Sequence, residues 1–308
     1  VNISSPSVII MVAAFSAGEL AHEIENLAVS AVLVKPVNPS SLLDAILKAF
    51  AVEVGDKTGV PKSDSAFEGL VEKLCGSHVL VVEDNDINLE LVLALLHDAG
   101  IKTTVATDGQ QDLNVLEKEK FDAVLMDVQM PVMDGLTATR AIRQQPKFAD
   151  LPIIALTAGA MDRDKTEVMD AGMNDHIAKP INVDDMFATM ARWIVPAETG
   201  VAHVGVIHQS KTDESLALPK IEGINTLIGL RTCHGKHSLY LRLLTKFIKE
   251  ADFVARFRAA MDAGDEPTAQ RLAHTLKGSA GNIGAEQIEA AALALENALR
   301  EKMPDVEV

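Results

Sequence analysis

Cysteine, aromatic residues and clustered positive charge are all scarce in this sequence of 308 residues. The two cysteines, Cys75 and Cys233, lie far apart and fit no metal-ligand spacing, so we expect a reduced, cytoplasmic setting. Aromatic residues make up 4% of the chain and do not alternate with basic ones. Because the formal net charge is −16 and no basic cluster interrupts the acidic field, we expect no binding to nucleic acid.

Long apolar runs are also missing. No run reaches the roughly 18 residues that a membrane span needs, so we expect no direct membrane contact. The apolar run at 8–15 is too short to span and lacks the basic flank of a signal peptide. The first residue is valine rather than methionine, which suggests a fragment of a longer protein.

Two polar stretches that contain glycine and proline, 51–76 and 196–219, are predicted to be linkers because they show no sustained periodicity. They divide the chain into three blocks, 1–50, 77–195 and 220–308. The length of the chain agrees with two or three domains.

The middle block alternates short apolar runs with amphipathic segments. Its strands are predicted at five places: 78–84, 102–107, 123–127, 152–157 and 175–179. Strands that are apolar almost throughout and alternate with helices predict a parallel sheet covered on both faces. The block is therefore predicted to be an α/β, flavodoxin-like doubly wound parallel sheet.

Four of these strands end in chemically useful side chains. The carboxyl ends of parallel strands meet at one edge of a sheet, where ligands bind. The side chains predicted to meet there are Glu83, Asp84, Asp127, Thr157 and Lys179. Three carboxylates packed together repel one another, and a divalent cation such as Mg²⁺ removes the repulsion because it prefers oxygen ligands.

Asp127 is the candidate nucleophile, because a carboxylate can be phosphorylated. Glu83 and Asp84 are predicted to hold Mg²⁺ with Asp127 and the backbone carbonyl of Gln129. A non-covalent Mg²⁺ phosphatase site is the alternative, although no second acid is placed to protonate a leaving group. The simplest alternative is that acids at strand ends only solvate loops or cap helices.

Two further residues complete this predicted site. Lys179 is expected to pair with phosphoryl oxygens and Thr157 to donate a hydrogen bond to them. The motifs "VVEDN", "LMDVQMPVMDG", "ALTA" and "AKP" closely resemble those of the receiver domain of response regulators. The resemblance implies phosphorylation at Asp127, a switch at Thr157 and a cis Lys179–Pro180 bond. His176 stands where the family usually has Tyr or Phe, which suggests a weaker or pH-sensitive switch.

Residues 1–50 repeat the second half of this domain. In a gapless overlay Lys35 falls on Lys179 and Ala13 falls on Thr157. The block therefore resembles the C-terminal half of a truncated receiver, whose acidic residues would precede residue 1. We expect a structural remnant that cannot accept phosphate.

The last block is predicted to be an all-α helical bundle. Three long helices are expected, at 237–265, 266–284 and 285–302, after a short one near 223–230. On the second long helix His274, Lys277, Gly278 and Gly281 share a face that is predicted to be exposed. Lys277 would neutralise a phosphoryl group on the imidazole, and the glycines would let another protein approach. The simpler alternative is a surface histidine on a tightly packed helix.

The string "HTLKGSAGNIGA" resembles the histidine phosphotransfer (Hpt) domain. The resemblance implies that His274 carries phosphate and that the block has no ATP-binding activity. The family normally has one more helix, so we expect a C-terminally truncated domain.

Together these features predict a two-component phosphorelay module. Asp127 would accept a phosphoryl group from the dimerisation and phosphorylation domain of a histidine kinase. His274 would pass phosphate to or from the receiver domain of a response regulator. The chain resembles part of a hybrid sensor histidine kinase, whose missing segments would include any membrane anchor. It has no ATP-binding kinase motif, so we expect no autophosphorylation.

Two alternatives stay open. One is a non-catalytic docking or dimerisation module, which suits residues 1–50 better than the middle block. The other is a DNA-binding response regulator, which would need an output domain. The sequence does not decide whether Asp127 and His274 exchange phosphate within one chain or between two.

Overall fold

The structure is a computed structural model that describes 9–13, 31–35, 63–157, 162–195, 218 and 221–302. The chain divides into two compact units, Val1–Val60 and Pro61–Val308. Most of the predicted linker at 196–219 and the predicted helices of 1–50 lie outside the described residues.

The first unit contains two described strands, β1 (Ile9–Ala13) and β2 (Ala31–Lys35). They pair in parallel, as expected for the last two strands of a receiver. Ala13 and Lys35 each stand at the end of a strand.

The second unit is built on a five-stranded, fully parallel sheet. Its strands are β3 (His78–Val82), β4 (Lys102–Ala106), β5 (Ala123–Asp127), β6 (Ile153–Thr157) and β7 (Asp175–Ala178). Their order in the sheet is β4-β3-β5-β6-β7, which confirms the predicted doubly wound fold. All residues of β5 and β6 are buried, as strands covered on both faces must be.

The helices that follow these strands cover the two faces of the sheet. They are α2 (Asp86–Asp98), α3 (Gly109–Leu116), α4 (Gly135–Arg143), α5 (Asp162–Asp170) and α6 (Val183–Trp193). Four of them begin after an Asn or Asp whose side chain accepts hydrogen bonds from first-turn amides: Asn85, Asp108, Asp134 and Asn182. Such caps satisfy amides that the helix itself leaves unpaired.

Helix α1 (Ser63–Leu74) lies inside the stretch predicted as a linker. Val71 and Leu74 are buried, and α1 packs on α6. The sequence did carry a weak signal, because Phe67, Leu70, Val71 and Leu74 follow helical spacing. This spacing covers only about two helical turns, which was too short to outweigh the polar residues before it.

The last part of the second unit is helical, as predicted. Its helices are α7 (Thr226–Thr232), α8 (His237–Phe247), α9 (Phe253–Asp262), α10 (Glu266–Ile283) and α11 (Glu286–Lys302). Asp265 caps α10, and Gly284 ends it with a φ of 78°, a left-handed conformation that favours glycine. No described helix is long and apolar enough to cross a membrane.

The prediction of one long helix over 237–265 is wrong. A short 3₁₀ segment, Ile248–Asp252, separates α8 from α9. Leu239 and Leu243 of α8 belong to an apolar cluster that includes the sheet domain, whereas Phe253 of α9 packs with Leu276 inside the bundle. The 3₁₀ segment thus falls between two helices that bury apolar residues in different clusters.

Candidate active site

Three acidic side chains gather at the carboxyl edge of the sheet. Glu83 and Asp84 follow β3, and Asp127 ends β5. Their ligand atoms all lie within 4.8 Å of one another, and Glu83 and Asp127 are only 0% and 2% exposed. The structure thus brings together side chains that are more than forty positions apart in sequence, at the edge where a ligand site was predicted.

Lys179 reaches into this cluster from the loop after β7. Its Nζ lies 2.7 Å from Oε2 of Glu83 and 2.8 Å from Oδ2 of Asp127. Burial works against the charged ammonium, yet Asp127 and Glu83 together raise the pKa of Lys179 above its usual range. The Lys179–Pro180 bond is cis, as the resemblance implied.

One ammonium among three carboxylates leaves the cluster short of positive charge. Burial, and then the charge of Asp127, raise the pKa of Glu83 to about 8. The same two causes, in the same order, raise the pKa of Asp84 to about 6. A divalent cation that prefers oxygen ligands, such as Mg²⁺, would offset the negative charge that helps to raise these pKa values. The cluster therefore fits such an ion.

The loop after β5 keeps Asp127 within this cluster. A Cβ at Gly135 would lie 2.2 Å from the carbonyl oxygen of Asp127, so this position requires glycine. The amide of Gln129 donates a hydrogen bond of 3.3 Å to Oδ1 of Asp127. The ligand role of the Gln129 carbonyl stays a prediction.

Thr157 ends β6 and is 4% exposed. Its carbonyl accepts a hydrogen bond of 2.6 Å from the amide of Lys179, so the two residues are joined through the backbone. His176 is half-buried, and its Nδ1 lies 3.7 Å from Oδ1 of Asp175. The proposed weaker or pH-sensitive switch at His176 stays a prediction.

The histidine of the bundle is buried, contrary to the prediction. His274 is 5% exposed and Lys277 is 7% exposed. The glycines of this face of α10 approach residues of the sheet domain, and the helical pattern alone could not show this. A Cβ at Gly278 would lie 3.4 Å from Nδ2 of Asn88, and one at Gly281 would lie 3.3 Å from Cβ of Pro180. Gly278 therefore lies against the receiver domain, whereas the nearest atom to a Cβ at Gly281 is Oε1 of Glu289 in the bundle, at 3.1 Å. The predicted role of the glycines, to let another protein approach, stays a prediction.

A carboxylate that the sequence analysis missed holds His274. Oε1 of Glu296 lies 3.0 Å from Nδ1 of His274, and Oε2 accepts a hydrogen bond of 2.5 Å from Nζ of Lys277. Burial works against ionisation of Glu296, but bonds to His274 and Lys277 lower its pKa to about 2. An ionised carboxylate only accepts hydrogen bonds, so Nδ1 of His274 is the donor in this pair, and the tautomer of the neutral ring that makes this bond carries its lone pair on Nε2.

Glu296 did leave a signal in the sequence. It occupies the buried stripe of α11 between Ala292 and Leu299, where helical spacing predicts an apolar residue. A buried acid at such a position requires a partner.

Asparagines connect the acidic cluster to the helix that carries His274. Nδ2 of Asn88 donates to Oε1 of Glu83 at 3.0 Å, and Oδ1 of Asn88 accepts from Nδ2 of Asn282 at 2.7 Å. Nδ2 of Asn85 donates to Oγ of Ser279 at 2.7 Å. The charge of Arg271 on α10 also acts to lower the pKa of Asp84, against the larger effect of burial. The two predicted sites therefore lie next to each other.

Comparison with known families identifies both domains. Residues 79–191 match the response regulator receiver domain, and residues 242–308 match the Hpt domain. The chain therefore carries a receiver domain followed by an Hpt domain, the components of a two-component phosphorelay.

The curated proteins most similar in sequence include sensor histidine kinases. The chain is 35% identical over 230 residues to the sensor histidine kinase GacS of Pseudomonas protegens, covering 73% of this chain and 24% of that protein. It is 29% identical over 284 residues to the signal transduction histidine-protein kinase BarA of Shigella flexneri, covering 91% of this chain and 29% of that protein. The chain thus spans less than a third of these curated relatives.

A solved structure also resembles the receiver domain. It is the receiver domain of the sensor histidine kinase PA1611 from Pseudomonas aeruginosa, with a magnesium ion coordinated in its active site cleft. The two sequences are 41% identical, and the match covers 39% of this chain and 98% of the solved chain, with a TM-score of 0.37.

Proposed function

We propose that Asp127 accepts a phosphoryl group from a kinase phosphohistidine and that His274 exchanges this group with a receiver aspartate. The observation that carries the proposal is the pairing of two buried sites. One contains Asp127 beside Lys179, and the other contains His274 oriented by Glu296. Each has a candidate phosphate acceptor with a cation held beside it.

The first step is an exchange of one bond for another. A carboxylate oxygen of Asp127 attacks the phosphorus of the donor phosphohistidine. The P–O bond forms, the P–N bond breaks, and its electron pair returns to the donor ring. Lys179 remains beside Asp127 to offset negative charge, and Thr157 is proposed to donate its hydroxyl to a phosphoryl oxygen.

The second step moves the phosphoryl group onto the histidine. The lone pair on Nε2 of His274 attacks phosphorus, and the broken P–O bond returns its electron pair to a receiver carboxylate. The proton on Nδ1 stays in its hydrogen bond to Glu296, whose negative charge balances the ring. Lys277 donates a hydrogen bond to the other oxygen of the same carboxylate. From this position its ammonium would offset negative charge on the phosphoryl group.

Glu83, Asp84 and Asp127 would hold Mg²⁺, with the Gln129 carbonyl as a further ligand. When bound, the ion neutralises charge on the phosphoryl oxygens and so favours transfer, including slow transfer to water. The acid cluster supports this assignment.

We further propose that the longer protein is a cytoplasmic or membrane-anchored hybrid sensor histidine kinase. Its partners would be a kinase dimerisation and phosphorylation domain and the receiver domain of a downstream response regulator. For residues 1–50 the non-catalytic docking role fits better, since Ala13 offers no hydroxyl where the second domain has Thr157.

Labelling tests the proposed function. The chain is incubated with Mg²⁺ and a kinase core that carries radioactive phosphohistidine. We expect label on the wild type, none on Asp127→Asn, and only base-labile aspartyl phosphate on His274→Gln. Asp150→Asn and His97→Gln, at exposed positions, serve as matched controls and should label normally. Absence of label from the wild type would contradict the function. Label on Asp127→Asn, or base-stable label on His274→Gln, would contradict the assigned residues.

A further inference from the structure

We propose that α1 is a clasp that holds the opening turn of the bundle on the receiver domain, through which the preceding part of the chain controls access to His274. The clasp consists of Phe67, Leu70, Val71 and Leu74, which pack in one apolar cluster. The contact itself does not depend on phosphorylation, whereas its consequence for His274 rests on the proposed function.

Helix α1 lies outside both domains that the known families define. The receiver match begins at residue 79, after α1 has ended, and the Hpt match begins at residue 242. Cys233 and His234 belong to the turn between α7 and α8, which also precedes the Hpt match. Neither family therefore accounts for a contact between α1 and this turn.

Phe67 contacts the receiver domain and the turn at once. The centroid of its ring lies 5.3 Å from that of Phe187 in α6 and 5.1 Å from that of His234. Both distances lie in the range in which aromatic rings attract one another. Because Phe67 is half-buried and His234 is exposed, the rings close the rim of the contact rather than its centre.

The backbone at His234 is strained. Its φ of 52° is left-handed, a conformation that residues other than glycine adopt infrequently. The amide of His234 donates to the carbonyl of Arg231 at 3.0 Å, and the amide of Gly235 donates to that of Leu230 at 2.9 Å. These bonds fix the turn in the conformation that places the imidazole beside Phe67.

The C-terminal half of α1 is anchored on the receiver domain. Val71 and Leu74 are buried in the same apolar cluster as Cys233. Nζ of Lys73 donates a hydrogen bond to the carbonyl oxygen of Ala191 in α6. One short helix thus packs on the last helix of the receiver domain and on the first turn of the bundle.

The position of α1 in the chain gives the contact a regulatory use. The helix begins at Ser63, just after the first unit ends at Val60. A displacement of the preceding chain would therefore reach α1 before any other helix of the second unit. Loss of the clasp would free the turn of the bundle, and the buried face of α10 that carries His274 would then open more often.

Thiol reactivity tests the clasp without any phosphate. Cys233 is fully buried and burial raises its pKa to about 12, whereas Cys75 is exposed. In a Cys75→Ser background a thiol reagent therefore reports only opening around Cys233. We expect Phe67→Ala to raise the rate of this reaction by at least about tenfold, because it removes both ring contacts.

Two further variants separate the clasp from a general loss of stability. His234→Asn removes the imidazole but suits the left-handed backbone, so it should also speed the reaction of Cys233. Glu68→Ala, at an exposed position of α1, is the matched control and should leave the rate unchanged. Circular dichroism checks that each variant folds. Full protection of Cys233 in a folded Phe67→Ala variant, or equal exposure in Glu68→Ala, would overturn the clasp.

A small phosphate donor tests the consequence for His274. Phosphoramidate is added to Asp127→Asn chains with and without Phe67→Ala; Nε2 attacks phosphorus, the P–N bond breaks and ammonia leaves. Mass spectrometry should show at least about tenfold faster phosphorylation of His274 with Phe67→Ala. The exposed His97 is the internal reference and should react equally in both chains.

The outcomes separate the clasp from the proposed function. Equal phosphorylation of His274 with and without Phe67→Ala would overturn the control of His274 by α1. No phosphorylation of His274 in a chain whose Cys233 has become reactive would contradict the role of His274 as a phosphate acceptor, and the thiol result would still decide whether the clasp exists.

Discussion

At the scale of single residues, Glu296 explains how His274 keeps one ring nitrogen available. One oxygen of its carboxylate accepts a hydrogen bond from Nδ1 of His274, and the other accepts one from Nζ of Lys277. Because its pKa is lowered to about 2, the carboxylate remains charged throughout the neutral range. In the neutral ring this bond leaves the lone pair on Nε2, the proposed nucleophile.

Replacing Glu296 with Gln keeps the shape of the side chain and removes its charge. We expect phosphorylation of His274 to slow by about tenfold or more, since a hydrogen bond to a charged group contributes about 1.5–3 kcal/mol. Nitrogen-15 NMR of the imidazole should also show a mixture of tautomers in place of one. Glu286→Gln, at an exposed position on the same helix, is the control. Wild-type rates and an unchanged tautomer in Glu296→Gln would show that Glu296 has no positioning role.

Asp112 presents the opposite case, a buried acid with no partner. It is fully buried in α3, and neither carboxyl oxygen has a hydrogen-bond partner among the described residues. Burial raises its pKa from 3.8 to about 7. The folded state therefore binds a proton that the unfolded state releases, and stability falls as the pH rises from about 4 to about 7.

Asp112→Asn removes this titration while preserving the shape of the side chain. We expect the stability of the variant relative to the wild type to increase between pH 4 and pH 8, by at most about 4 kcal/mol. Urea unfolding at both pH values measures the change. A stability difference that is the same at pH 4 and pH 8 would contradict the raised pKa.

Some residues of the site could be predicted from sequence and others could not. Asp127 and Lys179 stand at strand ends, and parallel topology brings strand ends together. Asn88 and Asn282 gain their roles only from the contact between domains. No local pattern encodes that contact, so their roles required the structure.

At the scale of elements, α10 shows why glycines are tolerated within a helix. Each costs about 1 kcal/mol relative to alanine. Gly278 faces Asn88 of the receiver domain, and among the described residues no atom of another bundle helix would lie within 4 Å of a Cβ at this position. A larger side chain at this position should obstruct docking without entering the core of the bundle.

Gly278→Leu should therefore reduce transfer to His274 by at least about tenfold. Gly278→Ala is the matched variant: its Cβ meets Asn88 at ordinary contact distance, so transfer should persist and the helix should gain about 0.5–1 kcal/mol. Circular dichroism checks that both variants fold. Normal transfer in a folded Gly278→Leu variant would show that clearance at Gly278 is not needed.

Element boundaries were predictable where the pattern was strong. The five strands of the receiver domain and the ends of α10 agree with the sequence within two residues. The 3₁₀ segment at Ile248–Asp252 was missed because helical spacing continues through it. Helix α1 was missed because four apolar residues are a short signal.

At the scale of the whole molecule, the contact between receiver and Hpt domains is the feature that sequence could not supply. His274 was correctly placed on a face with Lys277 and two glycines, yet the covering surface could not be inferred. The structure buries that face against the edge of the sheet that holds Asp127. One chain thus contains both sites and the contact between them.

The most direct test is the order in which label appears in a single turnover. The wild-type chain receives label from a phosphorylated kinase core with Mg²⁺, and samples are quenched over time. Base-labile phosphate on Asp127 should appear first and then decline as acid-labile, base-stable phosphate on His274 grows, at a rate independent of chain concentration. Label that reaches His274 without passing through Asp127, or that never leaves Asp127, would contradict the account.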